Sequence, residues 1–305
     1  MLSAVVERYV ELMRACGFVF DEQARRLASF SAFAETRGET HVRIATVLDW
    51  SRRARTEAQR RIVYMTVRKF ALAAVTEDAQ HEVPPPDLLP RTARQRPAPY
   101  IYSNKEIAAL LSAAERTAST RCRVPIQYKV LFGLIAATGL RISEALGLDI
   151  ADVTPDGLLI REAKRRGWRI LPLHPSVGKE LSLHLARRQR VHVASNAIFL
   201  GERGGRMCHA TAYAAFVRML EMTGLKAVAK GGQNPRIHDL RHTFAVRSLE
   251  ACEIGRDNVA RHMVALSTWL GHVNIADTYW YLEGTPTLLG RIADRVERFA
   301  AGEVS

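Results

Sequence analysis

Residues 138–148 read TGLRISEALGL. Gly139 signals a turn, and Ile142, Ala145, Leu146 and Leu148 supply the apolar face of the helix that restarts after it. Arg141 stands at the head of that helix, near a core, and a guanidinium withdrawn from water needs an anion. Two kinds of anion suit it. Glu144, three residues on, offers an internal ion pair. A phosphate, whose paired oxygens match the arginine fork, offers a ligand site.

Working outward, the residues before Gly139 form an apolar run, VLFGLIAATGL from Val130 to Leu140, which reads as a buried helix and is too short to span a bilayer. Further upstream, Ser103 and Glu106 in SNKEIAALLSAAER have capping-box spacing ahead of Ile107, Leu110 and Leu111. Downstream, DVTPDGLLIREAKRRGWRILPLHPS changes period. Asp156-Gly157 and Arg166-Gly167 are turn signals between short runs rich in Ile, Leu and Trp, so a small antiparallel sheet is expected, with helices throughout after Pro175. The first eighty or so residues read as helices, two of them stopping at Gly17 and Gly38. The expected fold is mainly α with a small antiparallel β-sheet, an α+β chain. Between His81 and Tyr100 lie six prolines in twenty residues, which stiffen extended chain and mark a linker. The expected boundary is near Arg94, dividing a helical domain, 1–94, from a larger one, 95–305.

Composition narrows the partners. The chain carries 44 Lys and Arg against 31 Asp and Glu, a net +13 over 305 residues, which points to a polyanion. Seven basic residues and one acid, Glu57, lie between Ser51 and Phe70. Arg52, Arg53, Arg60, Arg61, Arg68 and Lys69 are therefore candidate phosphate contacts, with a solvated helix face as the plainer explanation. Cys16, Cys122, Cys208 and Cys252 are far apart and form neither a zinc module nor a disulfide framework. The charged N-terminal stretch does not make a signal peptide, and a cytoplasmic location is expected.

Three further clusters could do chemistry. Lys164, Arg165 and Arg166 crowd the hairpin turn before Gly167. In RIHDLRHTFAV, His238 and Arg241 share one helical face while Leu240 and Phe244 take the buried one; His238 and His242 are four apart but do not make an HExxH metal site. In WLGHVNIADTYWYLEG, 269–284, His272 is followed by Tyr279 and Tyr281. A free tyrosine, of pKa about 10, is a poor nucleophile at neutral pH. It would attack a phosphodiester only where positive donors stabilise the extra charge of the pentavalent transition state.

Together these boxes resemble those of the tyrosine recombinases, the phage-integrase and Xer-like enzymes of site-specific DNA strand exchange. ATGLRISEALGL resembles their first arginine box, AKRRGWRILPLHPS their lysine hairpin, HDLRHTFA their second box and LGHVNIADTYWYL their last. The wording of the last box is closest to the mobile-element and transposon-encoded subgroup. The resemblance implies a helical core-binding domain followed by a catalytic domain. It implies the catalytic set Arg141, Lys164, His238, Arg241, His272 and Tyr281, with Tyr279 a packed neighbour. Lys164 is selected over Arg165 and Arg166 by counting back from Pro172 and Leu173; those two arginines stay as candidate DNA contacts. The segment between Arg241 and His272 is longer than the compact Xer pattern, and an enlarged loop is expected around Ile254 to Asp257.

The resemblance further implies double-stranded DNA as partner and a 3′-phosphotyrosine intermediate that needs no metal or other cofactor. It implies a tetramer on paired sites, with accessory or sister recombinases as further partners. In the tail, Leu288, Leu289, Ile292, Val296 and Phe299 make a short amphipathic helix, read as docking on the next protomer against the alternative of packing on its own domain. Three rivals stand beside this reading: a type IB topoisomerase, a catalytically silent DNA-binding protein, and a basic helical protein with no such chemistry, in which the four ordered boxes would be accidental.

Overall fold

In a computed structural model of the chain, the residues described are 1–90, 99–117, 124, 126–162, 167–226, 234–252, 256–272 and 278. The chain separates into two compact units, Met1–Pro97 and Ala98–Ser305.

The first unit holds four helices: α1 (Leu2–Ala15), α2 (Asp21–Glu35), α3 (Ile44–Ser51) and α4 (Glu57–Glu77). Their apolar stripes converge, so that Val6, Leu27, Phe30, Val47, Tyr64, Val67 and Phe70 form a core. Thr56 caps α4 by accepting the Gln59 N–H at 3.2 Å. The first prolines of the Pro-rich segment lie along α4. The Tyr64 hydroxyl donates to the Pro85 carbonyl at 2.7 Å, and Arg61 donates to the carbonyls of Pro86 and Leu89.

The loop between α2 and α3 is tied to the end of α4 by a cluster of His41, Asp78 and His81, close enough together to suit a metal. Hydrogen bonds account for it instead. The Val42 N–H donates to His81 Nδ1 at 3.0 Å, which leaves the ring hydrogen of a neutral His81 on Nε2. His41 meets Asp78 through Nε2 at 3.0 Å and Thr40 through Nδ1 at 2.8 Å, so both of its ring nitrogens are engaged.

The second unit opens with α5 (Asn104–Arg116), whose capping box closes as the sequence reads it: Ser103 accepts the Glu106 N–H, and Glu106 accepts the Ser103 N–H. Next comes α6 (Gln127–Thr138), buried on most of its circumference and packed against α5, against α8 (Pro175–Gln189) and against α10 (Ile237–Glu250). Gly139, at φ +67°, ends α6, and the chain turns into α7 (Ile142–Gly147). The sheet is antiparallel and three-stranded, in the order β1 (Val153–Thr154), β2 (Gly157–Glu162), β3 (Gly167–Leu171). Its register pairs Leu158 with Leu171, Ile160 with Arg169 and Arg161 with Trp168. Leu158, Ile160 and Leu171 face the core, while Trp168 is 70% exposed.

One expectation needs correction. The chain after Pro175 is not helical throughout: α8 and α9 (His209–Met222) are joined by an irregular stretch with isolated bridges at Asp149–Ala197 and Leu200–Arg206. Arg188 holds this stretch by donating to the carbonyls of Val191, Ser195 and Ala197, which gives its backbone acceptors partners without a strand. Between Arg241 and His272 the chain forms a fifteen-residue helix, α11 (Arg256–Leu270), in keeping with the helix expected after Pro175; of the loop expected around Ile254 to Asp257, Arg256 and Asp257 already belong to this helix. Met263, Leu266 and Leu270 of α11 pack on Ala245, Val246 and Leu249 of α10. Residues 253–255 lie outside the described set.

Candidate active site

Glu144, in the first turn of α7 and 10% exposed, is the centre of a charged cluster. Its Oε1 accepts from Arg141 Nη1 at 2.8 Å. Its Oε2 accepts from the Arg141 backbone N–H at 2.9 Å and from Arg169 Nη2 at 3.1 Å, and Arg241 Nη1 stands 4.0 Å away. Burial alone would raise the carboxyl pKa. The Arg141 N–H and the guanidiniums of Arg169, Arg141 and Arg241 outweigh it and hold Glu144 below its ordinary value. One carboxylate among three guanidiniums leaves an excess of two positive charges in a small volume.

The internal Arg141–Glu144 pair that the sequence offers is therefore formed. It does not use up Arg141, whose side chain remains 36% exposed. Arg241 behaves differently. The sequence reading set it beside His238 on a face opposite Leu240, yet Arg241 is 1% exposed and Leu240 3%, while His238 is the exposed residue. The guanidinium tolerates that burial because Nη1 donates to the Gly139 carbonyl and Nη2 to the Leu270 carbonyl, both at 2.7 Å, with Glu144 beyond.

The rings of His238 and His242 meet edge to face, 4.4 Å between centroids. For His242, burial followed by the charges of His238, Arg236 and Arg241 lowers the pKa to about 3. For His238, partial burial followed by the charge of Arg241 lowers it to about 4; water at its exposed edge screens the shift, and the consequence used below is the direction, a neutral ring at neutral pH. His272 follows the end of α11. Its N–H donates to the Ser267 carbonyl at 3.0 Å, and its Nδ1 lies 2.7 Å from Thr278 Oγ1. Thr278 is fully buried.

The structure thus brings Arg141, Arg241, His238 and His272 together around the Gly139 turn and the end of α11. Lys164, Arg165, Arg166, Tyr279, Tyr281 and the tail from Leu288 to Phe299 lie outside the described residues. In the first unit, Arg52 pairs with Asp49 at 2.8 Å, and Arg60 meets Glu57 at 3.6 Å and Ser51 at 3.4 Å. Arg53 lies 5.5 Å from the centre of the Phe33 ring, Lys69 is exposed, and Arg68 is half-buried.

The sequence profile of the phage integrase family matches residues 101–287. The chain is also 37% identical to a putative integrase/recombinase, y4rB, of Sinorhizobium fredii (strain NBRC 101917 / NGR234), with 96% of each chain covered. The chain belongs to the phage integrase family. It is 30% identical to the tyrosine recombinase XerD of Corynebacterium glutamicum (strain ATCC 13032) over 76% of this chain and 71% of that protein. A solved structure of the Tn1549 transposon integrase in complex with a circular intermediate DNA shares the fold, at a TM-score of 0.62 and 17% identity over 96% of this chain and 99% of that one. This chain is a tyrosine recombinase of the integrase family.

Two residues of this cluster were not singled out in the sequence. Arg169 is inward-facing, and strand alternation from the buried Leu171 would have placed it there. Thr278 carries no such signal, because its contact with His272 depends on the path of the intervening chain.

Proposed function

We propose that this integrase exchanges DNA strands at a specific site through a covalent 3′-phosphotyrosine intermediate, with duplex DNA as substrate. The observation that carries the residue assignment is the two-charge excess around Glu144. A phosphodiester carries one negative charge and gains a second as the pentavalent transition state forms. A fixed surplus of two positive charges stabilises the transition state more than the ground state.

In this reading Arg141 presents its half-exposed guanidinium to the non-bridging oxygens. Arg241, held by the Gly139 and Leu270 carbonyls, adds its positive charge from the buried side of the cluster. Tyr281 attacks phosphorus, the phosphorus–5′-oxygen bond breaks, and Lys164 gives the leaving oxygen its proton. His238, neutral, accepts the proton of the Tyr281 hydroxyl. His272, held at Nδ1 by Thr278 Oγ1 at 2.7 Å, donates a hydrogen bond to the phosphate. Religation by the 5′-hydroxyl of a second duplex reverses these steps, with no other group consumed.

The first unit would supply phosphate contacts through Arg52, Arg53, Arg68 and Lys69, which fix register without reading sequence. Arg52 is 66% exposed despite its pair with Asp49, whereas Arg60, 23% exposed, and Arg61, bonded to the Leu89 and Pro86 carbonyls, contribute less. Assembly as a tetramer through the C-terminal helix, and action in the cytoplasm beside the chromosome, complete the proposal. One solved structure of a lambda integrase tetramer bound to a Holliday junction shares the fold at a TM-score of 0.62 and 16% identity.

The test is strand exchange between two labelled duplexes carrying the DNA that flanks the gene, run in EDTA beside relaxation of a supercoiled plasmid lacking that DNA. Exchanged product with no relaxation supports the proposal. Relaxation without exchange supports the topoisomerase alternative, and binding without either supports the silent one.

A further inference from the structure

The last turn of a helix leaves its carbonyls without intrahelical partners, and α11 ends beside the site. Three consecutive carbonyls there are each met by a different arginine. Arg169 Nε donates to Trp269 O at 2.9 Å, Arg241 Nη2 to Leu270 O at 2.7 Å, and Arg141 Nη2 to Gly271 O at 3.0 Å. The next residue is His272. The donors come from β3, α10 and the head of α7, so three elements far apart in sequence fix one helix end, at the pole where cations are favoured. Two of these arginines are assigned to the phosphate. Arg169 is not, and its side chain is 11% exposed.

We infer that Arg169 is a positioning residue of the strand-transfer site. With one hand it holds Glu144 Oε2 at 3.1 Å, and so sets the carboxylate that orients Arg141. With the other it holds the end of α11, and so sets the position of His272. The planar fork is needed because two acceptors in different directions are served by one group. A lysine ammonium on a flexible stem reaches one or the other. This inference rests on the proposed roles of Arg141 and Tyr281.

Arg169→Gln and Arg169→Lys are compared with wild type, and with Tyr281→Phe as the null, on a nicked suicide duplex built from the DNA flanking the gene. Binding is read by gel shift and cleavage by the rate of covalent adduct formation. The same duplex with a methylphosphonate at the scissile position, which lacks one negative oxygen, is run in parallel. The expected result is DNA affinity within about twofold of wild type, and cleavage slowed by about tenfold or more in Arg169→Gln with partial recovery in Arg169→Lys. The defect should shrink by about threefold or more on the methylphosphonate, because the orientation of a charge clamp matters less to a phosphate with less charge. An equal defect on both substrates would make Arg169 a fold-supporting residue only, and wild-type rates would overturn the inference outright. If Arg169→Gln does not fold, Arg169→Lys carries the same comparison. An adduct formed by Tyr281→Phe would instead count against the reading on which the inference stands.

Discussion

Arg241 has the burial of a core leucine and the charge of a cation, and both hold together because each direction it points meets an acceptor. The same reasoning predicts the cost of removing its counter-charge. Glu144→Gln keeps the size of the side chain but leaves three guanidiniums facing a neutral amide. Unfolding in denaturant should show a loss of about 3–5 kcal/mol, as for other buried pairs broken on one side. The histidines set a pH limit. His242 titrates near 3 in the fold and at about 6.5 in the unfolded chain, and burial lowers His184 likewise to about 4. Between those values the unfolded state holds protons that the native state refuses, so stability is full above pH 6.5 and falls as pH drops. Melting at pH 7 and pH 5 should differ by about 1–2 kcal/mol per group, and His242→Asn should remove its share of that slope. The depressed Glu144 adds its own loss only below about pH 4.5. At this scale the sequence carried Arg141 with its mate Glu144, because both lie within one helical turn. Arg169 and Thr278 were hidden because their partners, Glu144 and Trp269 for the one and His272 for the other, are not neighbours in sequence.

Among the elements, the joint between α6 and α7 decides the geometry of the site. Gly139 sits at φ +67°, and a Cβ there would stand 2.6 Å from Phe244 Cδ1 and 2.9 Å from Leu270 Cδ2. Gly139→Ala should therefore combine backbone strain with overpacking, for a loss of about 2–3 kcal/mol in chemical denaturation. Because the carbonyl of Gly139 also receives Arg241, DNA cleavage should fall further than stability alone explains. Glycine turns, the Ser103 capping box and the β-hairpin were legible because each is local chemistry. The helix α11 fits the helix expected after Pro175, with Met263, Leu266 and Leu270 at helical spacing on its packed face. The irregular stretch between α8 and α9 was not legible. Its backbone is satisfied by Arg188, a side-chain device with no period.

For the whole molecule, a net charge of +13 and two compact units describe a protein that gathers much of its affinity from phosphates. DNA affinity should fall steeply between low and moderate salt. Arg53→Ala or Lys69→Ala should each reduce the slope of log affinity against log salt by about one, with little effect on cleavage of bound DNA. Arg60→Ala and Arg61→Ala should change the slope less and the melting temperature more, since Glu57, Ser51 and the carbonyls of Pro86 and Leu89 already hold those side chains. Among the described residues no helix is long and apolar enough to cross a membrane.

The central claim is that Tyr281 is the nucleophile of a metal-free site. Its most direct test is covalent trapping on the nicked suicide duplex in EDTA, with wild type, Tyr279→Phe and Tyr281→Phe side by side. The account predicts an SDS-resistant protein–DNA adduct from wild type and Tyr279→Phe and none from Tyr281→Phe. An adduct that survives in Tyr281→Phe and disappears in Tyr279→Phe, or one that forms only when Mg²⁺ is added, would contradict it.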